Sequence, residues 1–248
     1  MFFVFSVYTF ISVLSAVYLL ASASYRNALL SVAYPILVFT IWGIAEAILK
    51  INFSAAFLAV ALILPIGALL GTAYEFYIII PFFDSFLHTL SGFIFAALGY
   101  SLMKRILMRD GNSSRVACLM FAFAFSLAVA LLWEMAEWGL TVLLNGDMQE
   151  DSIVNEIRSY FLSGSHNKAL ELIGITKTEI HHSGGVYVIN GYLDLGLTDT
   201  LIDMLVCLIG SMIYTVMGAI EIISGKNIIQ RFTPTVIYSE TSSGEISL

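Results

Sequence analysis

Three pairs of ionisable residues stand out along the chain. Asp84 and His88 are four residues apart, Glu134 and Glu137 three apart, and Asp199 and Asp203 four apart. On a helix these spacings put each pair on one face, a single turn apart. All three pairs border or enter long apolar stretches, where one charged side chain costs roughly 2.5–3.5 kcal/mol on insertion scales. No Lys or Arg lies inside any of those stretches to neutralise them. Two arrangements can hold five carboxylates and one imidazole there. The carboxyls can share protons, or a divalent cation can sit among them. Helical bundles build carboxylate-bridged metal sites in this way, from inward-facing Glu plus an i,i+3 or i,i+4 Glu/His pair on neighbouring helices. The donor set suits one or two oxygen-preferring ions such as Mg, Mn, Fe or Zn. The candidate metal ligands are therefore Asp84, His88, Glu134, Glu137, Asp199 and Asp203, with Glu134 or Glu137 as the general base. Taken singly, Asp84 and Asp199 also read as helix N-terminal caps in the helix dipole.

The elements that must position these pairs follow from composition. The chain has 248 residues, 59% of them hydrophobic and only 12% charged, with 18 Asp+Glu against 11 Lys+Arg. A soluble domain carries about 25% charged residues. This balance excludes a soluble globular enzyme, a disordered chain and a nucleic-acid binder, which needs a basic patch. A bilayer core needs roughly 20 apolar residues as helix, and six stretches qualify: Phe2–Ala21, Ala28–Leu49, Phe53–Ala73, Phe83–Met103, Val116–Leu144 and Thr200–Ile223. The expected fold class is all-α, a polytopic transmembrane bundle of about six spans with a small extracytoplasmic insert. Spans one to five occupy 1–144, the insert 145–198, span six 199–224 and a cytoplasmic tail 225–248. The first stretch ends in Ala21-Ser22-Ala23, which mimics a signal-peptidase site. However, Met1–Phe5 has no Lys or Arg, so it is expected to stay as a span. Pro65 predicts a kink in the third span.

Short loops rich in Lys and Arg face the cytoplasm. Lys104, Arg105, Arg109 and Arg115 form the densest basic cluster, whereas Tyr74–Phe82 has no basic residue. Placing that cluster inside puts Lys50, Lys226, Arg231 and both termini inside, in a bacterial plasma (inner) membrane. Spans four and six then enter from outside and span five exits there. At about 1.5 Å per residue, Asp84/His88 and Asp199/Asp203 lie within about 8 Å of the outer boundary, with Glu134/Glu137 about 10–15 Å in. All three pairs share one layer of the outer leaflet, an agreement reached from loop charges alone. Tyr74, Phe76, Tyr77, Phe82, Phe83 and Trp138 fit an interfacial aromatic belt.

The remaining polar features carry weaker signals. In the insert, Ile153, Ile157 and Phe161 share a helical face, which predicts a helix over Asp151–Leu162 lying on the membrane surface or capping the bundle. Lys177–His181 and Val186–Ile189 around Ser183-Gly184-Gly185 predict a hairpin. His181 and His182 read as its solvated edge, with an extra ligand or base as the alternative. The Ser/Thr-rich Thr233–Leu248 is expected to be disordered, Glu221 solvated, and Glu46 ion-paired with Lys50. Gly139, Gly210 and Gly218 are expected to permit close helix packing. Cys118 and Cys207 lie too far apart in depth to bridge.

The segments Phe83-Asp84-Ser85-Phe86-Leu87-His88-Thr89-Leu90-Ser91-Gly92, Trp133–Trp138, Gly146-Asp147-Met148-Gln149 and Gly196–Met204 with Gly210 resemble the YjdF-like family of uncharacterised bacterial inner-membrane proteins. More distantly the chain is similar to VanZ-like proteins, which share an Asp/Lys–His start, a Glu-containing helix and a late Asp before a Gly. The resemblance covers roughly Phe53–Ile223 and implies that the three pairs are motif positions; it brings no established reaction. The stretch between Gln149 and Gly191 departs from it as an insertion, and Glu137 stands where VanZ-like members favour Gln. Three functions fit these residues: a metal-dependent hydrolase or transferase acting on an envelope or lipid-derived small molecule, an ion- or proton-coupled transporter, and a non-catalytic scaffold or immunity protein. The partners expected are the lipid bilayer and such a small molecule, and no nucleic acid.

Overall fold

The computed structural model of the chain describes residues 2–49, 51–109, 114–144, 148–236, 239–240 and 246–247. The expected Glu46–Lys50 pair and the Gly146-Asp147 motif fall partly or wholly outside them. Two compact units are present, one comprising Met1–Leu132 with Asp203–Leu248 and the other Trp133–Ile202.

The first unit begins with α1 (Phe2–Ala21) and α2 (Tyr25–Leu49), which pack on each other. A tight turn joins them: Ala23 adopts a left-handed φ of 57°, and the Ser24 N–H donates to Leu19 O at 2.8 Å. Tyr8, Ser12, Ser15, Ala16 and Leu19 are buried on α1 at helical spacing, a stripe of mostly small side chains that suits close helix contact in lipid. A short strand, β1 (Ile51–Asn52), leads into α3 (Ala55–Ala61) and α4 (Ile63–Ala73). Pro65 explains the break between these helices. It cannot donate to the carbonyl four residues back, so the chain restarts at Ile63 and places Pro65 in the first turn, where no such bond is needed. After α5 (Phe76–Ile79) come α6 (Phe83–Arg109) and α7 (Arg115–Leu144). Lys104, Arg105 and Arg109 thus belong to the last turns of α6, and Arg115 opens α7.

The second unit holds the end of α7, six short strands and the start of α9. Strand β2 (Ser152–Val154) pairs antiparallel with β7 (Tyr192–Asp194), β3 (Glu156–Ser159) with β4 (Leu170–Ile173), and β5 (Thr178–His182) with β6 (Gly185–Ile189). One helical turn, α8 (Tyr160–Ser163), sits between β3 and β4. The predicted hairpin is present, with His182 opposite Gly185. The predicted helix over Asp151–Leu162 is not. Residues 153, 157 and 161 are spaced by four, which satisfies a period of 2 as well as 3.6. The β-branched Ile153, Val154 and Ile157 favour the extended form.

Helix α9 (Leu197–Ser224) crosses from this unit back into the first. Beyond it, Gly225 (φ 68°) ends the helix, a 3-10 turn covers Gln230–Phe232, and β8 (Thr235–Val236) pairs antiparallel with β1. The expected disorder from Thr233 therefore does not hold for residues 233–236. Thr233 is buried, and Pro234 O accepts from Ser101 Oγ at 2.7 Å. Glu221 is not solvated either. It is 5% exposed, and its Oε2 accepts the Ile228 and Ile229 N–H groups at 2.7 and 2.9 Å.

Among the described residues, five helices are long and apolar enough to cross a membrane: Tyr25–Ile48, Ala55–Ala73, Phe83–Leu107, Arg115–Leu143 and Leu197–Ser224, with Phe5–Ala21 a shorter apolar helix where a sixth span was expected. The chain is an all-α polytopic helical membrane protein carrying a strand-rich insert. The main buried cluster of the first unit gathers Ile51, Phe57, Ile94, Tyr100, Leu119 and Tyr214.

Candidate metal centre

Within the first unit, α6 and α9 run in the same direction, so His88 meets Asp203 near their starts and Tyr100 meets Tyr214 further along. Two glycines bring them together. A methyl group on Gly210 would collide with Thr89 O, and one on Gly92 with Cys207 O. Backbone therefore touches backbone at two crossing points, as small residues permit in membrane helices. Gly92 also receives α7, since its carbonyl accepts the Ser126 hydroxyl at 2.7 Å. His88 lies one turn before Gly92 on α6, and Asp203 one turn before Cys207 on α9. Close packing of the backbones thus fixes where the two side chains meet.

The meeting is a cluster of three titratable groups. His88 Nε2 lies 3.5 Å from Asp84 Oδ2 and 3.8 Å from Asp203 Oδ2. One ligand atom from each of the three residues falls within 4.8 Å of the others. Asp203 is 2% exposed and His88 9%, so both are removed from water. Asp84 is more open and sits in the first turn of α6, where the helix dipole favours a negative charge. The other ring nitrogen of His88 faces elsewhere. Its Nδ1 lies 3.8 Å from Cys207 Sγ, while that thiol donates to His88 O at 3.2 Å. Ser91 Oγ donates to the same carbonyl at 2.8 Å and lies 3.4 Å from Cys207 Sγ. The two ring nitrogens have separate tasks: Nδ1 is turned to the thiol, and Nε2 to the carboxylates.

The other predicted site residues lie in the second unit. Glu134 and Glu137 are one turn apart on α7, and Glu134 is 4% exposed. Asp199 has a defined partner, since its Oδ2 accepts the Glu150 N–H at 2.9 Å. The Gln149 amide donates to Thr200 Oγ1 beside it, and Asp194 Oδ2 caps α9 by accepting the Thr198 N–H at 2.6 Å. Gly196 (φ 76°) turns the chain into the helix, and a methyl there would meet Gln149 Cβ at 2.6 Å. The family-like segments at Met148-Gln149 and Gly196–Thr200 are thus tied to each other. His181 and His182 are exposed on the hairpin: His181 Nε2 lies 3.5 Å from Glu179, and His182 stacks on Tyr187 at 5.2 Å.

Three residues of the centre were not among the candidate site residues. Gly92 and Ser126 hold α6 against its neighbours, and Cys207 addresses the imidazole. The signal for Gly92 and Cys207 was present as an i+4 relation to His88 and Asp203. Among the glycines expected at helix contacts, Gly210 meets the Thr89 carbonyl and Gly218 meets the Leu119 side chain. Gly139 does not, because no described atom lies within 4 Å of a Cβ built there. Cys118 and Cys207 are both buried, and neither is in a disulfide.

Together these features define a polytopic helical membrane protein with a buried imidazole–carboxylate cluster at the start of two parallel helices. By sequence the chain belongs to the family described as "Predicted membrane protein (DUF2238)", whose profile matches residues 2–222. Comparison with curated proteins and with solved structures gave no match.

Proposed function

We propose that the protein is a metal-dependent membrane protein in which Asp84, His88 and Asp203 hold a divalent cation. The observation that carries this reading is the convergence of one nitrogen and two carboxylate oxygens within 4.8 Å, with Asp203 buried and His88 nearly so. Ligands of a single ion bound at about 2.1 Å are separated by roughly 3.0–3.4 Å. The observed 3.5 and 3.8 Å separations need only a small inward movement to reach that range. The donor chemistry also fits: a His whose second ring nitrogen is engaged, as that of metal-ligating His usually is, and two carboxylates that would otherwise repel. A bound ion would polarise a phosphoryl or carbonyl oxygen or lower the pKa of a water.

The substrate class we propose is an envelope or lipid-derived small molecule, and the reaction hydrolysis or group transfer. Glu134 and Glu137 are assigned the proton-transfer role, on their spacing and on the burial of Glu134. Asp199 is assigned the positioning of Met148–Glu150 against the start of α9. Loop charges support six spans, both termini in the cytoplasm and a bacterial inner membrane. The motif order supports kinship with YjdF-like and, more distantly, VanZ-like proteins. A transporter needs a polar path past the cluster, and the far end of the α6–α9 pair is filled by Tyr100, Tyr214 and Ser101, all buried; this favours a one-sided site.

Cobalt(II) added to chelator-treated protein in detergent tests the proposal. Wild type should develop visible d–d bands at one equivalent that His88→Ala abolishes. Identical featureless spectra for both would remove the metal from the account.

A further inference from the structure

The β3–β4 hairpin of the second unit ends in a small, firmly tied turn. Ser159 Oγ accepts the Leu162 N–H at 3.1 Å, and Gly164, at φ 66°, donates to Phe161 O at 3.2 Å. Ser163 Oγ donates to Tyr160 O at 2.8 Å and accepts from Ser165 N at 3.1 Å. Ser165 Oγ in turn accepts from Asn167 N at 3.2 Å. With its polar groups satisfied internally, this turn holds three large apolar side chains outward: Tyr160, Phe161 and Leu162 are 54%, 92% and 51% exposed. Ile173, also exposed, lies at the opposite end of the hairpin, paired with Glu156. At the tip, Lys168 makes no ion pair among the described residues, whereas Arg158 on β3 is held by Glu156 and Glu171.

Water is a poor environment for such a tip, and a folded turn that fixes Phe161 outward forgoes the stabilisation of burying it. The unit's connectivity indicates what covers it. Both of its ends run directly into membrane-crossing helices, at Leu144 and Leu197. Residues 145–155 link α7 to β3 and residues 174–196 link β4 to α9, and a four-residue hairpin is about 13 Å long, so a tip tethered to these two helices can reach the bilayer surface. Aromatic and aliphatic side chains beside a free Lys match the interface, where rings sit at headgroup level and cations meet anionic headgroups. We propose that the Tyr160-Phe161-Leu162 tip inserts into the headgroup–acyl boundary of the bilayer and anchors the insert to the membrane surface, with Lys168 on the headgroups. This is independent of whether the cluster binds metal.

The test uses the full chain in nanodiscs containing anionic lipid, with a nitroxide at Phe161→Cys, at Leu162→Cys and, as an aqueous reference, at Glu179→Cys. Cys118 and Cys207 are buried, so labelled wild type supplies the background. Position 161 is so exposed that its replacement leaves the turn intact, and position 162 provides a second readout. The expected result is a ratio of oxygen to nickel-chelate accessibility several-fold higher at 161 and 162 than at 179. Equal, water-like ratios at all three positions would overturn the proposal. Shielding of 161 from both reagents with spin–spin broadening would overturn it too, in favour of contact with a second copy.

Discussion

At one end of the parallel α6–α9 pair, Asp84, His88 and Asp203 gather three titratable groups, two of them carboxylates, with Asp203 and His88 largely removed from water. At the other end Tyr214, Ser101, Thr233 and Glu221 are buried too, and each has a complementary hydrogen-bond partner. Tyr214 OH lies 2.7 Å from Thr233 Oγ1, which itself donates to Ile229 O, and Ser101 donates to Pro234 O. Glu221, the acidic group there, accepts two backbone N–H groups. The second end fastens the returning segment 225–236, and its polar atoms do what buried polar atoms do in most folds. The first end brings two carboxylates to one imidazole, a set whose charge a bound cation or shared protons would balance. Burial alone therefore does not mark a site. The sign of the charges around a buried group does.

That contrast can be broken at several points. Gly210→Val should have the largest effect, because the collision is with backbone and affects both ends; overpacking of about 3 kcal/mol should appear as loss of the monodisperse peak and of the thermal transition in detergent. Removing metal from the first end comes next. At a cation concentration a hundredfold above Kd, binding adds about 2.7 kcal/mol, so a chelator should lower the melting temperature of wild type but not of Asp203→Asn. In the chelated state Asp203→Asn should melt at or above wild type, since it removes one of two neighbouring carboxylates.

Glu221→Ala should have the opposite character. It leaves one buried and one partly buried N–H donor unmatched, costs about 2 kcal/mol, and keeps the chelator response intact. Tyr214→Phe should cost about 1 kcal/mol, one neutral hydrogen bond, seen as a small drop in the same melt. Arg158→Ala in the insert should produce no measurable shift. Its guanidinium, held in the charged form chiefly by Glu171 and then by Glu156, is fully exposed and screened by water.

Much of this was legible in the residues themselves. Apolar run lengths located the long helices to within a few positions, and the i,i+4 pairs Asp84/His88 and Asp199/Asp203 marked the starts of α6 and α9. Ser183-Gly184-Gly185 marked the β5–β6 hairpin. The strands at Ile153 and Ile157 were not legible, because a spacing of four satisfies both periods. Nor was the anchoring of Thr233–Val236, whose partners Ser101, Tyr214 and Ile51 are distant in the chain. Glu221 misled for the same reason. A single acidic residue near a helix end looks solvated until the returning segment supplies its donors. Gly92 and Cys207 became visible as partners only when two helices separated by about a hundred residues were brought side by side.

Metal content bears most directly on the central claim. Wild type, Asp203→Asn and Glu221→Gln, purified in detergent without chelator and measured by elemental analysis, should give about one equivalent of a divalent ion in wild type and in Glu221→Gln, and almost none in Asp203→Asn. Equal and negligible metal in all three would contradict the account and leave the Asp84–His88–Asp203 cluster to protons alone.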